Sequence, residues 1–216
     1  WDKARTQLQT LAQVSPEAQM LAAAYGQAIE AEALRKKVFS GEERPVLLAG
    51  VGGWAEGVAD ALHLICKGDV QAGIDARDAA FDTAPDCPGS FNDIPFEWIA
   101  NADGRFGPVC EAIISGRYGL IPFDAVERIE SEGPVDLRDI VWFPVQIAFR
   151  SGQSVAAFLP ARYPGSEASD DNAVKLARAT NWVSAPFGDA GLGQQLFALS
   201  EGDDQGLLSL KTLVFS

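Results

Sequence analysis

Residues 96–167 hold the densest run of β-type patterning in the chain: FEWIANADGRFGPVCEAIISGRYGLIPF at 96–123, DLRDIVWFPV at 136–145 and LPARYPGSE at 159–167. Two hairpins are written into it. Val109 to Ile114 and Arg117 to Ile121 flank Ser115-Gly116, and an x-Gly pair between apolar runs is a tight-turn signal. Val145, Ile147 and Phe149 alternate with polar or small residues, Ser151-Gly152 reverses the chain, and Val155, Ala157 and Leu159 return it. Phe96, Trp98 and Ala100 read as one face of a further strand, and Asn101-Ala102-Asp103-Gly104 as a turn cluster. Tyr163-Pro164-Gly165 fits a type II turn, with Pro at its second position and Gly at its third. Working outward, Gln195 to Leu199 and Leu207 to Phe215 form a third hairpin around EGDDQG, with short helices at 124–131 and 171–180. Strands and helices never alternate as βαβ units, so this half is an antiparallel meander or small barrel.

The first half has helical periodicity instead. Ser15 is an N-cap, Pro16 suits the first helical position, and Leu21, Ala24, Tyr25, Ala28, Ile29, Leu34 and Val38 make an apolar stripe ending at Gly41. Glu30, Glu32 and Arg35 fall outside that stripe and read as a solvated face. Two flanking segments share a pattern: Trp1, Ala4, Leu8, Leu11 then Pro16, and Val70, Gly73, Arg77, Ala80 then Pro85. These offsets match the second helix of a tetratricopeptide repeat, whose small residues let neighbouring helices approach closely. The Pro and Gly cluster at 85–95 marks a change of texture. The expected organisation is therefore α+β, with TPR-like helical hairpins over 1–88 (the first repeat truncated) and an antiparallel, barrel-like β-rich domain over 89–216.

The 216 residues carry a formal net charge of −13, with 47% hydrophobic and 22% charged residues. That balance supports a real core and opposes nucleic-acid binding, which needs a concentrated Lys/Arg face. No apolar run reaches the length of a membrane span. The chain opens at Trp1 without an initiator Met, so further residues are expected upstream. Cys66, Cys87 and Cys110 are widely spaced and odd in number, which reads as buried thiols rather than disulfides or a zinc site, and no metal or other cofactor is expected. Gly50, Gly52 and Ala55 in PVLLAGVGGWAEGVADAL fit a dinucleotide-binding spacing. That fingerprint needs a βαβ unit, however, and here a second helix follows the first at about 70–83. His63 is the only His and has no acid or nucleophile placed beside it by local sequence.

Taken in order, ARTQLQTL at 4–11, AEALRKKVFSG at 31–41 and the three segments quoted above resemble the ImpE/TagJ family of bacterial type VI secretion accessory proteins. The match is strongest at Trp98–Glu111, Asp136–Trp142 and Pro160–Glu167. The resemblance implies a cytoplasmic, non-enzymatic protein with no catalytic residues to carry over. It also implies two partners, the N-terminal helix of the small sheath subunit (TssB-type) and the ClpV-type AAA+ ATPase that recycles contracted sheath. An amphipathic helix would dock in a groove in the helical half or at its junction with the β-half, and Tyr25, Ile29, Trp54, Trp98 and Arg105 are the candidate contacts. The alternative is a nucleotide-binding enzyme using the Gly50–Ala55 loop. Arg105, Glu111, Arg138, Asp139 and Arg162 read as loop braces, because buried charges must be paired. Trp98, Trp142, Tyr118 and Tyr163 read as core.

Overall fold

The computed structural model describes residues 1–50 and 52–216. Four helices come first: α1 (Asp2–Val14), α2 (Gln19–Phe39, entered through a 3₁₀ turn at Pro16–Ala18), α3 (Gly53–Lys67) and α4 (Val70–Phe81). They pack as two pairs, α1 on α2 and α3 on α4. The second pair is close because Gly73 lacks a side chain: a Cβ there would lie 2.6 Å from Ile65 Cγ1 and 2.9 Å from Ile65 N. Arg77 then ties α4 to the second half, donating from Nη1 to the carbonyls of Gly104 and Phe187.

The second half opens with β1 (Gly89–Phe91), β2 (Ile94–Phe96) and β3 (Ile99–Asn101). It continues through β4 (Val109–Ile114), β5 (Arg117–Pro122), β6 (Val126–Glu130), β7 (Trp142–Phe149) and β8 (Ser154–Pro160). A one-turn helix, α5 (Asn172–Lys175), precedes β9 (Thr180–Ala185), β10 (Gly188–Gly193), β11 (Leu196–Leu199), β12 (Gln205–Gly206) and β13 (Thr212–Phe215). Eight strands form one antiparallel sheet in the order β2-β1-β13-β6-β7-β8-β4-β5; β9 and β10 pair alone, and β12-β11-β3 form a third sheet. The two turns between β4 and β5 and between β7 and β8 fall where local sequence puts them. Ser115 and Gly116 have φ of 50° and 76°, the pair of positive values a type I′ turn requires.

The sheet does not close into a barrel. Its edges are β2 and β5, and the edge at β5 is covered by residues 46–48, with Leu48 N donating to Leu120 O at 2.9 Å and Leu120 N to Val46 O at 2.9 Å. Other expectations are corrected by long-range pairing. Residues 124–131 are not a helix: a 3₁₀ turn at Phe123–Ala125 leads into β6, which is held between β13 and β7. The helix expected at 171–180 is limited to α5. Phe96 to Ala100 is not one strand, since β2 and β3 belong to different sheets and Trp98 between them is 42% exposed. In the C-terminal segment β11 pairs with β12 and β3, while β13 crosses to the large sheet, where Leu213 faces both Phe91 and Ile129 in register. The β9–β10 ribbon is an element that sequence patterning did not suggest.

Two apolar clusters follow from this arrangement. One lies within the β-half and includes Phe91, Ile121, Phe123, Ile129, Phe143 and Ile147. The other joins the halves: Ile29, Val38, Trp54, Val58 and Leu62 from the helices meet Val109, Ile113, Tyr118 and Leu120 from β4 and β5. The period of two along a strand explains the split. In β4, Cys110 and Ala112 face the β-cluster, while Val109 and Ile113 face the helices. Each fully buried Leu, Ile or Phe contributes about 1.5–3 kcal/mol, so the shared cluster couples the two halves firmly.

Candidate functional site

Glu111 lies between Val109 and Ile113 on β4, so alternation turns it toward α2. Arg35 meets it there as a two-pronged ion pair, with Nε donating to Oε1 at 2.7 Å and Nη2 to Oε2 at 2.8 Å. Sequence patterning had put Arg35 and Glu32 on a solvated face. The structure buries Arg35 to 8% exposure, and the signal was present: Ala28, Ala31, Arg35 and Val38 fall at i, i+3, i+7 and i+10, the buried stripe of α2. Glu32 is mostly covered too, accepting from Trp142 Nε1 at 3.1 Å and lying 3.7 Å from Arg35 Nη1. Burial alone would push the Arg35 guanidinium down, but Glu111 and Glu32 overcome it and hold it above its ordinary value.

The pair anchors a longer buried network. Tyr118 donates to Glu111 Oε1 at 2.7 Å, and Gln195 Nε2 donates to Glu111 Oε2 at 2.7 Å. Asn101 Nδ2 donates to Gln195 Oε1 at 2.8 Å, and Tyr163 donates to Asn101 Oδ1 at 3.0 Å. Asp103 N also donates to Asn101 Oδ1, and the Asp103 carboxylate takes Arg105 Nε at 2.8 Å and Gly191 N at 2.8 Å. Burial raises the Tyr118 hydroxyl well above the usual tyrosine value, with the neighbouring Glu111 charge adding to it. Every charge in this set has a partner, which is the arrangement a buried polar network needs in order to rigidify rather than destabilise. It fastens α2, β4, β5, β3 and β11 to one another. The brace reading of Arg105, Glu111 and Asp139 matches this geometry: the Asp139 carboxylate accepts from Val135 N and Asp136 N, both at 2.8 Å.

Above the network lies a cleft of about 730 Å³ between α2 and the β-half. Phe39, Val141, Tyr163 and Pro164 give it apolar walls, while Lys36, Arg105, Arg162, Glu32 and Glu167 give it charged ones. The Arg105 guanidinium sits 5.3 Å from the Phe39 ring centroid and 5.7 Å from that of Phe187. Arg162 spends Nη1 on the Lys175 carbonyl at 2.6 Å, and burial lowers its pKa despite Glu167 and Glu32 nearby. The Pro164-Gly165 rim is held by the type II turn, with Gly165 at φ 85° and ψ −5°. From the cleft an aromatic ridge continues: Trp1 stacks on Trp142 at 5.1 Å, Tyr25 lies 5.8 Å from Trp142, and Arg138 caps the Tyr25 ring at 4.7 Å.

The five candidate contacts are therefore not brought together. Tyr25 lies on the ridge and Arg105 in the cleft wall. Ile29 and Trp54 are core residues, and Trp54 Nε1 donates to Asp124 Oδ2 at 3.2 Å. Trp98 is on a separate small depression of about 210 Å³ with Phe81, Cys87 and Pro108. Of the Gly50–Ala55 loop, Val51 lies outside the described residues. Beyond it α3 runs into α4, and the strands paired in sheets are all antiparallel among the described residues. His63 Nδ1 lies 3.2 Å from the Glu43 carbonyl and takes no part in the network's hydrogen bonds.

The family model described as ImpE protein matches residues 93–214. A Pseudomonas aeruginosa protein named "Type VI secretion system accessory component TagJ" is 38% identical over 217 residues, covering 100% of this chain and 75% of that protein. The chain belongs to the ImpE/TagJ family. The fold recurs in a crystal structure of protein VPA1032 from Vibrio parahaemolyticus, with a TM-score of 0.86 at 20% identity over 100% of this chain and 80% of that one. In this ImpE-family chain no described helix is long and apolar enough to cross a membrane.

Proposed function

We propose that this chain is a non-enzymatic accessory protein of bacterial type VI secretion, acting in the cytoplasm. It binds the N-terminal helix of the small, TssB-type sheath subunit and links it to the ClpV-type sheath-recycling ATPase. The observation that carries the reading is the 38% identity, across the whole chain, to a protein named as a type VI accessory component. The helical residues 1–88, taken as TPR-like pairs, and the β-rich residues 89–216 act together as the docking body.

The geometry supports a helix-in-groove mode. An α-helix with its side chains is about 10–12 Å across and seats its apolar face through residues at i, i+3, i+4 and i+7. The cleft and its aromatic ridge offer apolar walls between charged rims; Tyr25 is half-buried on the ridge and Arg105 lies in the cleft wall, while Ile29 and Trp54 belong to the core. Trp98, on the separate depression, would be a protein contact outside this groove. Isothermal titration with a synthetic peptide of the sheath subunit's N-terminal helix tests the first arm. Binding at micromolar peptide is expected, and the absence of heat at tens of micromolar would remove it. Co-purification of ClpV from a strain lacking the sheath subunit tests whether the ATPase contact is direct.

A further inference from the structure

The turn between β6 and β7 presents two bulky apolar side chains to water, Val135 at 84% and Leu137 at 79% exposure. A loose loop could fold such side chains away, but this one is fixed. Asp139 is buried, and one of its carboxylate oxygens takes the N–H groups of Val135 and Asp136. Asp136 in turn accepts from Arg138 N and Nε, both at 2.9 Å, and from Nη2 at 2.8 Å. Arg138 O receives Val141 N and Trp142 N, both at 2.9 Å, which joins the turn to β7. Arg138 also caps Tyr25 on α2, so the turn continues into the aromatic ridge beside the cleft. Holding exposed apolar groups in one fixed shape is what a preorganised contact surface requires, because less ordering entropy is lost on binding.

The local charge leans negative. Arg128 pairs with Glu130 and Arg138 with Asp136, Asp139 is buried on the turn's own amides, and Glu132 is left as the exposed carboxylate. Glu132 is exposed and is in no ion pair among the described residues. The part of α2 that carries Tyr25, from Gln19 to Ile29, has no charged residue, and the whole chain carries −13. An apolar surface rimmed by carboxylates selects a partner whose apolar face is flanked by lysine or arginine.

We infer that the braced turn at Val135–Leu137, with the adjoining Tyr25–Arg138 stack, is a docking surface for a basic amphipathic helix of a partner protein. The inference rests on the accessory-protein reading above and adds to it the place and the charge of the helix. Leu137 and Val135 are the anchors, and Glu132 supplies the steering charge.

The test is titration of the sheath subunit's N-terminal peptide into the full chain, the Val135→Ser/Leu137→Ser double variant and the Glu132→Lys variant. The double variant should bind about ten-fold or more weakly, the scale of a lost hot spot, with thermal stability kept because both side chains are already in water. Glu132→Lys should also weaken binding, and raising salt from about 50 to about 500 mM should weaken it further in the parent chain. Hydrogen exchange on the parent chain gives a check free of mutation: added peptide should protect the amides of residues 135–142. Unchanged affinity in the double variant and no protection at 135–142 would overturn the surface and leave the accessory-protein reading standing. Binding indifferent to salt and to Glu132→Lys would overturn the basic partner. No binding by the parent chain would overturn both readings together.

Discussion

Replacing Arg35 by Met keeps the length of the side chain and its fit in the buried stripe of α2 but strands Glu111, whose side chain is wholly buried. Two charge-assisted hydrogen bonds to that carboxylate are lost, and the Arg162 carbonyl loses its donor at 2.8 Å. Breaking a buried ion pair by removing one partner costs about 3–5 kcal/mol, because the remaining charge is left uncompensated. Here Tyr118 and Gln195 still donate to Glu111, which argues for the lower end, about 3 kcal/mol. For a chain of this size that corresponds to a loss of about 6–12 °C in melting temperature. Urea unfolding followed by far-UV circular dichroism measures it directly. The double variant Arg35→Met/Glu111→Gln removes the stranded charge while keeping a side chain that Tyr118 can still reach. It should recover at least half of the loss, since neutral replacements of a buried pair are often tolerated. A loss below about 1 kcal/mol in the single variant, or a double variant no more stable than the single one, would show that the pair does not fasten α2 to the sheet.

Gly73→Leu should destabilise by at least about 1–3 kcal/mol, because its Cβ would meet the Ile65 backbone and side chain; a urea midpoint equal to that of the parent chain would refute the close approach of α3 and α4. Asp139→Ala should cost about 2 kcal/mol and speed hydrogen exchange at Val135 and Asp136, the two amides it holds; unaltered exchange there would show that the turn is held by other means. Burial pushes the thiols of Cys66 and Cys87 up to about 11 and that of Cys110 up to about 12, from an unfolded value of 9.0. The folded chain then holds those protons more tightly than the unfolded one. Their contribution is intact below about pH 9 and is lost as pH rises through 11 to 12. Urea midpoints should fall over that range, and less steeply in Cys110→Ala; an equal slope in the two would refute the assignment.

Much of the local structure was legible because its cause is local. The reversals at Ser115-Gly116 and Ser151-Gly152, the type II turn at Pro164-Gly165 and helices α2, α3 and α4 follow from turn chemistry and helical period. The family was legible too, in the runs around Trp98, Asp136 and Pro160. Where reading failed, a distant partner decided. Residues 126–130 became a strand because β13, eighty residues further on, lies beside them, and that proximity leaves no mark within 124–131.

The candidate site divides in the same way. Sequence alone determined that Glu111, Asp139 and Arg105 sit among apolar or turn residues and so must be paired, because a buried charge without a partner is too costly to keep. Which partners they take was decided by the fold: Arg35 from another half of the chain, the backbone of Val135 and Asp136, and Asp103 two residues away. Periodicity tells which face of an element is covered but not what covers it. The charge on Arg35 made its position in the buried stripe of α2 look like an exception to that stripe. Only the packing of α2 against β4, which sets Glu111 opposite it, makes a buried arginine there stable.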